Sequence, residues 1–83
     1  MKNPIQESRK KLNLTIKELA FVTELAENTI RWNERGDNVE ITSKLLSFLS
    51  DQGFDKNQLQ ADYKRFRESK KHQLLKELKA KRA

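Results

Sequence analysis

The sequence predicts a compact all-α domain of five helices, the last of them extended and basic, and three observations carry that expectation. Helix-start signatures occur twice, at Thr15 with Glu18 and at Asp55 with Gln58, each entering an apolar pattern. Gly36 and Gly53 stand where helices should stop, since glycine takes positive φ without strain. No run alternates apolar and polar residues between hairpin turns, so strands have no signature.

Each element follows in order. Pro4 suits a first helical turn, where its missing N–H has no partner to lose, and Ile5 and Leu12 give that helix an inner face over roughly 4–12. In "LTIKEL" Thr15 caps and Glu18 reaches back, while Leu14 and Leu19 occupy the staple positions, so a second helix spans roughly 16–23. A third runs over roughly 27–35 to its stop at Gly36. Thr42 precedes a fourth, roughly 42–51, whose inner face is Leu45, Leu46 and Leu49. In "FDKNQL" Asp55 caps, Gln58 reaches back and Phe54 pairs with Leu59, starting a fifth helix over roughly 56–80. The expected core is Leu19, Ala20, Leu25, Ile30, Leu45, Leu49 and Leu59.

At 83 residues there is room for one small core, and without cysteine neither disulfides nor thiolate metal sites can brace it. No segment approaches the roughly 18 apolar residues that cross a bilayer, so the expectation is a soluble, cytoplasmic protein. The net charge of +6 lies entirely in the tail: residues 1–54 carry eight Lys/Arg against eight Asp/Glu, residues 55–83 ten against four. An excess of that sign points to an acidic partner, nucleic acid being the commonest. Catalysis has no support: His72 stands alone, no glycine-rich loop precedes a helix, and Glu18 and Glu34 have capping or basic neighbours as ordinary explanations. Neither an enzyme, a metal site nor a cofactor is expected.

From Leu14 to Gly36 the stretch "LTIKELAFVTELAENTIRWNERG" resembles, without gaps, the helix-turn-helix of Cro and lambda-repressor type proteins, the Xre family. Leu14, Thr15, Leu19, Ala20, Leu25, Ile30, Glu34 and Gly36 match the family pattern, and the likeness covers about residues 5–60. It implies a lambda-repressor-like helix-turn-helix domain at 1–60, followed by a basic amphipathic helix or tail at 61–83. It also implies a sequence-specific DNA-binding regulator of bacterial, phage or plasmid origin, dimeric on a palindromic operator. The family's base-reading positions fall on Glu27, Asn28, Arg31 and Trp32, and flanking duplex contacts are expected at Thr15, Lys17, Thr29, Asn38 and Lys44. Asn28 can pair bidentately with adenine and Arg31 with guanine, whereas Glu27 can accept from cytosine only if other contacts offset phosphate repulsion. Read structurally instead, Glu27 favours the helix dipole and Arg31 pairs with it four residues on.

The sequence departs from the pattern at three places. Ile16 replaces the glutamine that clamps a phosphate, and Glu24 replaces the turn glycine, where a left-handed conformation would cost roughly 1 kcal/mol or more. Trp32 and Asn33 look like the family's tryptophan moved one place, about 100° off the core side, so Trp32 should be partly exposed, for DNA, a protein partner or neighbouring helices. The tail leaves three readings open. Phe66, Leu74, Leu75 and Leu78 can pair with a second copy; Lys64, Arg67, Lys70, Lys71, Lys76 and Lys79 can contact phosphates or a partner; or the end beyond Lys70 is a frayed, solvated helix. Beside the regulator stand two alternatives: a protein-interaction module, antitoxin-like or accessory, and a nonspecific nucleic-acid binder working through its tail.

Overall fold

The computed structural model describes residues 2–82, and among them every regular element is a helix. These are α1 (Pro4–Lys11), α2 (Ile16–Thr23), α3 (Glu27–Arg35), α4 (Ser43–Asp51) and α5 (Lys56–Arg82). Ile5, Leu19, Ile30, Leu45 and Leu49 are fully buried at the centre, with Ala20, Ile41, Leu46, Leu59 and Tyr63 closing around them. Leu12, Leu14, Ile16, Leu25, Phe48 and Phe54 are partly buried against this cluster. The expected core thus assembles as read, Leu25 being its least enclosed member.

The caps form largely as their residue types dictate. Thr15 Oγ1 accepts from the Glu18 N–H at 3.1 Å, and Glu18 accepts from the Thr15 N–H at 2.9 Å. The Thr15 N–H first, and the Thr15 hydroxyl second, hold the exposed Glu18 carboxyl below its ordinary range. Asn3 caps α1, its Oδ1 accepting from the N–H groups of Ile5 and Gln6. At α5 only half of the expected reciprocal cap forms. Asp55 Oδ1 accepts from the Gln58 N–H at 2.9 Å, but the Gln58 amide turns forward and donates to Asp62 Oδ1 at 2.9 Å. A full carboxylate charge one turn ahead is a stronger acceptor than any return bond to the cap is worth, so the chain keeps the one-sided cap.

Glu24 keeps the left-handed turn at φ 58°, ψ 34° despite its side chain, and the Leu25 N–H closes the end of α2 by donating to the Ala20 carbonyl at 3.0 Å. The turn between α2 and α3 is therefore made with a glutamate in the left-handed region, at the cost of local strain. Gly36, at φ 76°, closes α3, where the Asp37 N–H donates to the Trp32 carbonyl at 2.9 Å.

α5 is continuous from Lys56 to Arg82, and its packed part reaches Lys70. Tyr63 is buried and its phenol donates to the Asn38 carbonyl at 2.7 Å. Burial pushes that phenol above its ordinary pKa, so the neutral donor is retained and this anchor weakens only as pH rises through the folded value. Phe66, expected at a dimer contact, instead lies against Gly36, and Arg67 Nε donates to the Gly36 carbonyl at 2.9 Å.

A Cβ at Gly36 would lie 2.8 Å from the Phe66 ring, whereas one at Gly53 (φ 98°) would meet nothing within 4 Å. Gly53→Ala should therefore lose only the backbone term, about 1–2 kcal/mol, and Gly36→Ala that plus about 1 kcal/mol or more for displacing the ring. Denaturant unfolding of the two variants checks this; equal losses would remove Phe66 from the account.

Candidate nucleic-acid interface

At about 100° per residue, Glu27, Asn28, Arg31 and Trp32 share one side of α3, while Ile30 and Asn33 share the other. Ile30 and Asn33 are fully buried, so that side is fixed and the first is turned to solvent. Asn28 and Arg31 are exposed, Glu27 is half-buried and Trp32 is 44% exposed. The partial exposure expected for Trp32 holds.

Asn33 anchors the inner side of α3. Its Nδ2 donates to the Thr29 carbonyl at 2.7 Å and to Thr42 Oγ1 at 2.9 Å, while its Oδ1 accepts from the Thr42 N–H at 3.0 Å. Its own carbonyl accepts from Asn3 Nδ2 at 3.0 Å. The buried side-chain amide thus ties α3 to the start of α4, and the backbone carbonyl of the same residue ties it to the cap of α1. Beside it Arg9 and Glu34 form a two-pronged pair at 2.7 and 3.0 Å, and Arg9 Nη1 also donates to the Leu14 carbonyl at 2.9 Å. The pair is largely shielded from solvent, and the bond to Glu34 raises the Arg9 guanidinium further above its ordinary value.

The outer side of α3 carries only weak internal bonds. Arg31 Nη2 stands 3.3 Å from Glu27 Oε1 and Nη1 3.5 Å from Asn28 Oδ1, all on exposed side chains. An exposed pair at this spacing is worth about 0.3–0.5 kcal/mol, less than a bidentate contact to a base edge at about 1–3 kcal/mol. Arg31 is therefore loosely held and can change partners at small cost.

Alongside, an open cleft is lined by Arg9, Lys10, Asn13, Thr15, Lys17 and Arg31. It brings together the last turn of α1, the start of α2 and the exposed side of α3. Thr15 spends its hydroxyl on the α2 cap, and Lys17 is free of any ion pair among the described residues. Lys10 and Asn13, which the sequence does not single out, join the cleft because α1 ends against α2; Asn13 does so with φ 59°, the left-handed geometry Asn tolerates.

The remaining expected contacts are not gathered here. Asn38 lies beyond the far end of α3, its carbonyl held by Tyr63, and Lys44 is exposed on the first turn of α4. Thr29 is half-buried and gives its carbonyl to Asn33. On α5, Lys64, Lys71, Lys76 and Lys79 are exposed, but Arg67 and Lys70 turn back on the end of α3, Lys70 donating to the Arg35 carbonyl and standing 3.8 Å from Asp37. Those two cations serve the helix terminus first. No family model, curated protein or solved structure matches the chain.

Asn33 and Arg31 sit two residues apart with opposite expected effects on stability. Asn33→Ala should cost about 1–3 kcal/mol, because the Thr42 N–H loses its acceptor in a buried place, whereas Arg31→Ala should stay within about 0.5 kcal/mol. Thermal unfolding followed by circular dichroism distinguishes them; a tolerant Asn33 would show that water replaces the amide.

Proposed function

We propose that the chain is a DNA-binding regulator of the Cro and lambda-repressor type, of bacterial, phage or plasmid origin, that reads duplex DNA through α3 and acts as a dimer on a two-fold operator. The observation that carries the reading is the pairing of a rigidly held inner side of α3 with an outer side, Glu27, Asn28, Arg31 and Trp32, whose internal bonds are weak. A ridge of this kind fits a major groove about 12 Å wide, and Asn28 and Arg31 have the donor geometry for adenine and guanine edges. Lys10 and Lys17 in the adjacent cleft support the reading, since a groove-bound helix needs cations beside it for the phosphate strand. Phosphate attraction from the exposed lysines of α5 supplies the sequence-independent part of the affinity. Half-sites would lie about 34 Å apart.

Trp32 favours a second reading, a protein-binding surface on the same scaffold, because a tryptophan 44% exposed beside a mutually satisfied Glu27–Arg31 pair needs no nucleic acid to explain it.

Selection of bound fragments from random duplex DNA tests the proposal, with a consensus of two-fold symmetry as the expected result. Asn28→Ala and Arg31→Ala should each lower affinity for the selected site about 5- to 150-fold while leaving random duplex nearly unchanged, as a loss of about 1–3 kcal/mol per bidentate contact requires. Glu27→Gln should tighten binding to every duplex, since it frees Arg31 and removes a charge facing phosphates. Absence of a consensus, together with tolerance of Asn28→Ala and Arg31→Ala, would leave the protein-binding reading in its place.

A further inference from the structure

The outer face of α5 holds two features that fit each other rather than themselves. Residues Tyr63, Lys64 and Glu68 form one wall of a groove whose other wall is Val39, Glu40 and Ile41, in the segment between α3 and α4. Val39 is 74% exposed, an unusual position for a valine on an otherwise polar rim. Followed along the helix by steps of three and four, the groove face at Lys64 and Glu68 runs on through Lys71 to Leu74, Leu75 and Leu78. These leucines lie beyond the packed part of α5 and are about half exposed, at 53%, 46% and 48%. One continuous face therefore offers a groove at its first half and an uncovered apolar stripe at its second.

We infer that two copies of this chain pair antiparallel along α5, each setting Leu74, Leu75 and Leu78 into the groove of the other between Val39 and Tyr63. Charge fixes the register. With the two-fold axis between Glu68 and Lys71, each Lys71 faces the partner's Glu68, so two opposite-charge pairs flank the axis. The competing register lays leucines on leucines and moves the axis toward residue 76; Lys71 then meets the region of Lys81 and Arg82 of the other copy, and the arm beyond Lys70 holds Lys71, Lys76, Lys79, Lys81 and Arg82 against Glu77 alone. Self-repulsion disfavours that arrangement and leaves Val39 in water. In the groove register the exposed Glu40 adds an anion on the rim that receives the basic arm. The cations of the groove are already accommodated: Arg67 is bonded to the Gly36 carbonyl, and Lys64 can lay its aliphatic stem beside the incoming leucines.

This specifies the dimer half of the function proposed above and is independent of what α3 reads, so it is tested without DNA. Sedimentation equilibrium of the full chain, with circular dichroism as a folding control, should show a concentration-dependent dimer. Val39→Asp and Leu75→Asp should each abolish it. Glu68→Lys and Lys71→Glu should each raise the dissociation constant about tenfold, and the double variant, which restores opposite charges across the axis, should recover most of the loss. All these positions are exposed, so loss of folding does not obscure the result. A chain monomeric at high micromolar concentration overturns the inference, as does dimerisation that ignores Val39→Asp and tightens with Lys71→Glu, the pattern of leucine-on-leucine pairing.

Discussion

The last turn of α3 is the point on which the rest of this fold depends, because three other helices are fastened to it by specific polar bonds. From α1 come the Asn3 cap amide and the Arg9–Glu34 pair; from the start of α4 comes Thr42; from α5 come Arg67 and Lys70 on the last carbonyls, with Phe66 over Gly36. A helix C-terminus carries about half a negative charge and unpaired carbonyls, so two cations there relieve both needs. Burying an apolar patch would hold the same helices together, but bonds with fixed directions also set the angle at which α3 leaves the body.

That arrangement accounts for the contrast between the two sides of α3. Inward, each polar atom has partners far along the chain and little freedom: among the described residues no buried side-chain nitrogen or oxygen lacks a hydrogen bond. Outward, the bonds are short-range, exposed and weak. A recognition surface needs this division, since a helix can offer side chains to a ligand only if something else keeps the helix in place.

Much of the architecture could be read from the sequence because its signals are local. The Thr15–Glu18 box, the Gly36 stop and the spacing of Leu45, Leu46 and Leu49 each involve residues within a turn or two, and each forms as expected. The misreadings have the opposite character. Gln58 had two partners within one turn, the Asp55 N–H behind it and the Asp62 carboxylate ahead, and the sequence does not rank them. Phe66, Arg67 and Lys70 looked like a free amphipathic surface until α5 was laid across Gly36, a residue some 30 positions earlier. Likewise Asn33 carries no sequence signal for burial; its role depends on Thr42 and Asn3 arriving from two directions. Lys10 and Asn13 join the cleft for the same reason, through packing rather than pattern.

The unbroken course of α5 through Lys70 has one more consequence, for how its far half exists at all. A free peptide of the length of residues 71–82 would be mostly coil, because it must first form a turn at a nucleation penalty of about 10⁻³. Here no such turn has to form: the half clamped by Tyr63, Phe66 and Arg67 already presents open carbonyls in helical geometry, and each later residue adds by propagation alone. One helix therefore has two stabilities. In the monomer, amides up to about Lys70 should exchange hydrogen only when the whole domain opens, whereas those beyond it should exchange by local fraying from the end, progressively faster toward Arg82.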